Sequence, residues 1–394
     1  MTAHSPEPRP AEDATRWRRL FEAAVEAAVG GERRLDGLLL TGEGDVAAVS
    51  GFGPAIEVGA NPFAWLNGAA LLWPDDALLV VPNLDAGAAA AANLLPRLES
   101  YEGYRYEAPF AHRANLSALV LAELTAHLPA RGGRLGIDAA TLPFALAEAI
   151  RERFPGMVLV DVTERLAWAR AVKDEAEIAR LRRSFAVADA MHSAVRALVR
   201  PGLREIELWS AVKGVAEREV GERVPLYGDL LAGPRTAESG GFPGDRPLEA
   251  GDLVMADLVP RVAAYWADTC SATVVGEPDA EQGRVSGLVR EALARGIEAV
   301  RPGVTPAELD ALLRRELARH GFTYPHHSGH GVGTTLHDEP RIVPYERRPL
   351  AAGMVITLEP GAYLDGWGGI RWEVGLVVRD GGPEVLSGFS LDLG

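Results

Sequence analysis

The sequence predicts an α+β protein in two parts: a smaller α/β domain over residues 16–165 and an internally duplicated domain over residues 166–394, with residues 1–15 as a flexible lead. Three observations carry this reading. Short apolar runs alternate with helical ones up to about residue 163, the pattern of an α/β layer. The stretch "VRPGLREIEL" at 199–208 returns as "VRPGVTPAEL" at 300–309, and each copy lies between two helical stretches. A helix–PG–helix–strands unit that occurs twice marks a duplication, and the site of such a domain tends to lie where its halves meet. Finally, each half places a pair of acids on otherwise apolar strands.

Taken in order, "DGLLLTG", "AALLWPDDALLVVP" and "MVLVDVT" read as strands, the second a hairpin turning at Pro74-Asp75-Asp76. "AGAAAAANLLPRL" and "TLPFALAEAIRERF" read as helices between them. "AWARAVKDEAEIARL" opens one long charged amphipathic helix, which puts the domain boundary at residues 164–173. The helical stretches "WSAVKGVAEREVG" and "DALLRRELARHG" follow the two PG turns. "DLVMADLVPRVAAYWADTCSATVV" reads as two strands joined near Val262 and Ala263. "GMVITLEPGAYLDGWGGIRWEVGLVV" supplies the corresponding strands of the second copy.

A formal charge of −15 argues against nucleic acid and anionic membranes as partners. The single cysteine, Cys270, rules out an internal disulfide framework and fits a reducing compartment. No apolar run reaches the ~18 residues of a membrane helix, and the start "MTAHSPEPRPAEDATRWRRL" has no secretory apolar region. The expectation is a cytoplasmic protein.

The chemistry concentrates in a few residues. With a hairpin centred between Val262 and Ala263, Asp257 and Asp268 would face each other with Cβ atoms ~5 Å apart, which is unfavourable unless a cation lies between them. Glu359 ends one strand of the second copy and Glu373 sits inside the next. Singly, each acid reads as solvent-facing. Two pairs, one per copy, read with the glycine-flanked His330 as a metal centre. Four carboxylates and one imidazole are too oxygen-rich for structural zinc and suit two divalent ions such as Mn²⁺. Gly329, Gly331 and Gly333 would let the backbone fold tightly around His330.

These residues, in this order, resemble the "pita-bread" metallopeptidases: methionine aminopeptidase, aminopeptidase P and prolidase. The likeness spans roughly residues 165–390, and the first half is similar to the creatinase-like accessory domain of the prolidase and aminopeptidase P branch. The resemblance implies a pita-bread fold and metal ligation by Asp257, Asp268, His330 in "GHGVG", Glu359 in "ITLEPG" and Glu373 in "GIRWE". It implies two divalent ions per chain, Mn²⁺ first, with Co²⁺ or Zn²⁺ as alternatives. It also implies that Glu359 shuttles the proton, His337 contacts the scissile carbonyl, His326 lines the proline pocket, and Arg371 helps place substrate or a partner subunit. His327 has no such counterpart and reads as an exposed loop residue. His112, His127, His192 and His320 read as surface or capping residues, and Cys270 as packing.

Two departures stand out. Gly240 and Gly241 occupy the place where relatives carry a histidine before the first metal aspartate, and Cys270, Ser271 and Ala272 replace a Thr-Arg-Thr. The implied activity is hydrolysis of the bond before proline in Xaa-Pro dipeptides, by a homodimer. The alternatives are an aminopeptidase P acting on longer peptides, a hydrolase of another small amide, or a non-catalytic binding protein.

Overall fold

The computed structural model describes residues 15–26, 34–53, 68–128 and 133–394, so the expected flexible lead lies, but for Thr15, outside the described residues. The chain divides into two compact units, Met1–Arg170 and Ala171–Gly394. Among the described residues no helix is long and apolar enough to cross a membrane.

The first unit runs α1 (Arg16–Glu26), β1 (Gly37–Leu40), α2 (Glu43–Ser50), β2 (Ala69–Leu72), β3 (Ala77–Pro82), α3 (Ala86–Ala92), β4 (Arg97–Tyr101), α4 (His112–His127), β5 (Arg134–Ile137), α5 (Phe144–Arg153), β6 (Val158–Asp161) and α6 (Thr163–Ala171). Its sheet has the order β4-β3-β2-β1-β5-β6, with the expected β2–β3 hairpin antiparallel. The central strands are continuous apolar runs because both faces are covered. Trp17, Leu20 and Phe21 pack on one face with Leu38 and Leu40; Val120, Leu124 and Ile150 pack on the other with Leu39, Leu78 and Leu135.

Two expectations fail here for local reasons. The helix expected through Leu98 stops at Ala92, because the Asn93 side chain bonds the backbone of Leu95 at both its N–H and its carbonyl. Pro96 then disfavours helix in the residue before it, and Arg97–Tyr101 becomes an edge strand. The single long helix at the boundary is two, α6 and α7 (Glu175–Leu198). Asp174 accepts a hydrogen bond from Glu177 N–H while the Glu177 carboxylate accepts from Asp174 N–H, a reciprocal cap that starts a new helix.

The second unit continues with α8 (Glu205–Val220), β7 (Leu226–Ala232), β8 (Leu253–Val262), β9 (Tyr265–Trp266), β10 (Thr269–Val274), α9 (Ala280–Ala299), α10 (Pro306–Ala318), β11 (His330–Gly331), β12 (Asp338–Arg341), β13 (Val355–Leu358), β14 (Gly361–Leu364), β15 (Gly368–Arg371), β16 (Val374–Val377) and β17 (Glu384–Val385). The duplication extends to single hydrogen bonds. Gly202 N–H donates to Leu248 and Gly303 N–H to Leu350, each from a left-handed glycine in the PG turn. Leu248 N–H answers to Leu203, and Leu350 N–H to Val304. One sheet is ordered β10-β8-β7, a second β12-β11-β13-β16-β17, and β14 and β15 form a two-stranded sheet of their own. A bridge between Cys270 and Glu373 connects the halves.

The turn after β8 corrects the expected register. Ala263 and Ala264 both adopt left-handed backbone, φ 47° and 72°, in a two-residue loop that pairs Val262 with Tyr265. The turn therefore sits one residue later than expected, and Asp257 lies opposite Cys270 rather than Asp268. Continued outward, that register places Asp268 across from Val259, on the same sheet face as Asp257 but diagonal to it.

Candidate active site

The sheet builds a transverse row of side chains. Asp229 pairs with Asp257 across β7–β8, Asp257 with Cys270 across β8–β10, and Cys270 with Glu373 across the bridge. Directly paired residues point to one face, so three carboxylates and a thiol share a side. Cys270 is fully buried against Leu231 and Met255, and burial pushes its thiol well above the ordinary range, as suits packing rather than nucleophilic attack.

His330 enters from the other sheet, on a two-residue strand held between β12 and β13. The flanking glycines are required by contact. A Cβ at Gly329 would lie 2.0 Å from the Thr357 carbonyl oxygen, and one at Gly331 would lie 2.1 Å from that of Glu339. His330 Nδ1 is 2.8 Å from the Gly331 carbonyl. A carbonyl only accepts, so Nδ1 carries the hydrogen and Nε2 is left bare. That bare nitrogen lies 3.2 Å from Asp268 Oδ2.

The donor atoms of Asp268, His330 and Glu373 lie within 4.8 Å of one another, and all three residues are buried. Glu373 Oε1 is buried with no hydrogen-bond donor. Burial raises Asp257 to about 6 against the pull of Arg371. Burial, then the charges of Asp257 and Glu359, raise Asp268 well above the carboxylate range; burial, then Asp268 and Glu359, do the same to Glu373. Four acids this close cannot all ionise without added positive charge. The orphaned Glu373 oxygen, the bare His330 nitrogen and the raised carboxyls fit a divalent metal centre.

Around this core several expected roles are altered. Arg371 is buried, and both its terminal nitrogens are engaged: Nη2 donates to Asp257 Oδ2 (2.5 Å), Nη1 to the Ser239 carbonyl and to Tyr363 Oη (3.1 Å). It braces a carboxylate and offers no open fork to a substrate. His326 Nδ1 lies 2.7 Å from the His327 carbonyl and its Nε2 lies 2.8 Å from Tyr363 Oη. Because Tyr363 accepts from Arg371, its own hydrogen goes to His326 Nε2, so both His326 nitrogens are occupied. Burial holds this ring neutral, down to about 4.

His327 is not an exposed loop residue: it is half-buried, its Nε2 is 2.9 Å from Glu359 Oε1, and its ring faces His330 and His337 at 5.3 and 5.4 Å. His337 is the exposed member of this group and stands 4.2 Å from His330 ring to ring. Burial alone would raise Glu359, but the imidazoles of His327, His326 and His330 around it pull it below the usual range.

His192 is likewise not a surface residue. It is fully buried on α7, with Nε2 2.9 Å from Thr269 Oγ1 and Nδ1 2.7 Å from Ser271 Oγ, and so ties down the strand that follows Asp268. His127 ends α4 and stacks on Trp73, His112 opens α4, and His320 is exposed.

Three residues escaped the sequence reading. Tyr363, four after Glu359, was readable as an aromatic just past "LEPG". Arg341 pairs with His330 across β11–β12, and its guanidinium has no ion pair or hydrogen bond among the described residues. Asp229 gave no signal, being one acid on an edge strand.

This assembly, with carboxylates and one imidazole converging from two halves of a duplicated domain, defines a metallopeptidase. The family model of metallopeptidase family M24 matches residues 179–380, and that of the creatinase/prolidase N-terminal domain matches residues 28–172. The chain belongs to metallopeptidase family M24, with the expected pita-bread domain behind a creatinase-type N-terminal domain. A Xaa-Pro dipeptidase from Pyrococcus furiosus is 32% identical over 256 residues, covering 64% of this chain and 73% of that one. The solved prolidase from Pyrococcus furiosus superposes with TM-score 0.74 at 27% identity, over 90% of this chain and 97% of that one. An X-Pro aminopeptidase from Thermotoga maritima MSB8 reaches TM-score 0.80 at 22% identity over 96% and 99%, a likeness of fold.

Proposed function

We propose that the protein is a metal-dependent dipeptidase that cleaves Xaa-Pro, with Asp257, Asp268, His330, Glu359 and Glu373 holding two divalent ions. The observation that supports this best is the convergence of buried, donor-starved carboxylates on the bare Nε2 of His330. The oxygen-rich donor set favours Mn²⁺ as the native ion. We place the protein in the cytoplasm, on its lone buried cysteine, as a homodimer in which a second copy limits access to the cleft.

When bound, the ions supply polarisation of the scissile carbonyl and a water of lowered pKa. Glu359 takes the proton of the attacking water and delivers it to the leaving imide nitrogen. His337, at the exposed side, donates to the carbonyl oxygen as charge develops there. His326 offers a ring face rather than a nitrogen, and an imide nitrogen has no N–H to recognise, so proline is selected by shape. Arg371 orients Asp257 through their direct bond. The uncommitted guanidinium of Arg341 beside His330 is the clamp for the substrate's free carboxylate, and it favours dipeptides over the aminopeptidase alternative.

The test is Glu359→Gln in metal-loaded protein. A loss of ~10²-fold or more in kcat on Xaa-Pro, with metal content kept, is expected. Retained activity would take the proton shuttle away from Glu359. Equal kcat/KM for a dipeptide and for the same sequence lengthened by two residues would move the assignment to an aminopeptidase.

A further inference from the structure

We propose that His327 is a sixth protein ligand of the metal centre and gives one ion a second nitrogen donor; this rests on the dinuclear reading above. His327 Nε2 and Glu359 Oε1 are 2.9 Å apart, and Glu359 Oε1 is otherwise buried without a hydrogen-bond partner. Two polar atoms at that distance need a proton or a cation between them, and a divalent ion held by both would satisfy the buried oxygen. Neighbouring ligand atoms, each ~2.1 Å from one ion, are separated by about 3 Å. His330 Nε2 and Asp268 Oδ2, already assigned as ligands, show the same spacing at 3.2 Å.

The rest of the surroundings agree. The donor atoms of His327, His330 and His337 lie mutually within 4.8 Å. The His327 ring meets those of His330 and His337 at 88° and 90°, so these rings meet edge to face and do not stack. The His327 backbone is fixed, since its carbonyl accepts the His326 Nδ1 hydrogen at 2.7 Å. A centre with two imidazoles suits borderline ions such as Zn²⁺ and Co²⁺ better than five mainly oxygen donors do. His327 therefore tunes which metal one position prefers, and does so from a residue that no motif marks.

The experiment compares chelator-stripped wild type and His327→Ala by calorimetric titration with Mn²⁺ and, separately, Zn²⁺, together with the visible spectrum of the Co²⁺-loaded forms. The expected result is a ~10-fold or greater loss of Zn²⁺ affinity at one of two sites, a change below ~3-fold for Mn²⁺, and shifted Co²⁺ bands. Unchanged Zn²⁺ affinity with an unchanged Co²⁺ spectrum overturns the proposal and leaves His327 as a neighbour of Glu359 only. If His327→Ala fails to fold, His327→Gln, similar in reach but without the imidazole, is read the same way. Asp268→Ala separates the two readings. If it loses metal uptake while His327→Ala keeps wild-type Zn²⁺ affinity, this inference alone falls; full uptake by Asp268→Ala overturns the dinuclear centre itself.

Discussion

Replacing Arg371 by leucine should destabilise the metal-free protein far more than the metal-loaded one. Arg371 is 4% exposed and donates to Asp257 Oδ2 at 2.5 Å. Removing one partner of a buried ion pair costs ~3–5 kcal/mol because the other charge is stranded. Asp257 stands at about 6 even with Arg371 present, so without it the carboxyl takes up a proton near neutral pH. That escape limits the loss to about 3 kcal/mol, roughly 6–12 °C in Tm for a domain of this size. Divalent ions held by Asp257 and its neighbours would neutralise that carboxylate without Arg371. Only the donors to the Ser239 carbonyl and Tyr363 hydroxyl are then missed, ~1 kcal/mol or roughly 2–4 °C. Scanning calorimetry of stripped and Mn²⁺-saturated Arg371→Leu measures both values. Equal drops in the two forms would refute the bracing role, as would no drop at all.

Two further outcomes follow from the same geometry. Arg341→Leu should raise KM for an Xaa-Pro dipeptide by about 10–100-fold, the worth of a charge-assisted carboxylate bond, with little change in kcat; steady-state kinetics check this, and an unaltered KM places the clamp elsewhere. His192 has its pKa lowered by burial to about 3, so the folded state refuses a proton that the unfolded chain accepts below ~6.5. Stability is therefore lost as pH falls from ~6.5 towards 3, by up to about 1.4 kcal/mol per pH unit. Denaturant titrations of His192→Gln should show a shallower acid slope by about that amount, and parallel curves would contradict it.

The elements legible in the sequence are those set by local pattern. The alternating apolar runs marked β1, β2, β3 and β6 of the first sheet but not β4 or β5, and the paired PG turns marked a duplication that reappears as matching hydrogen bonds at Gly202 and Gly303. The errors lie where local signals were weak or overlooked. Left-handed alanines at Ala263 and Ala264 carry no turn signature of the Asn-Gly kind, so the register of Asp257 slipped. The reciprocal cap at Asp174 and Glu177 was readable as D-x-x-E, but continuous helical amphipathicity hid it. At the site, the fold brings together Asp268, His330 and Glu373, three of the residues picked out in the sequence. Motif spacing was silent on His192, which reaches Thr269 and Ser271 from a different element, and on His327, which meets Glu359 only through tertiary packing. The same limit applies to Arg371: a sequence shows that an arginine is near a carboxylate but not that its two terminal nitrogens are already engaged.

Four carboxylates and His330 are proposed to hold two divalent ions. This is tested most directly by elemental analysis of chelator-stripped protein reloaded with Mn²⁺, beside Asp268→Ala treated identically. Uptake approaching two ions per chain is expected in the wild type and a clear loss in the variant, because Asp268 adjoins both His330 and Glu373. No specific uptake by the wild type, or uptake by Asp268→Ala equal to it, would rule out a dinuclear centre at these residues.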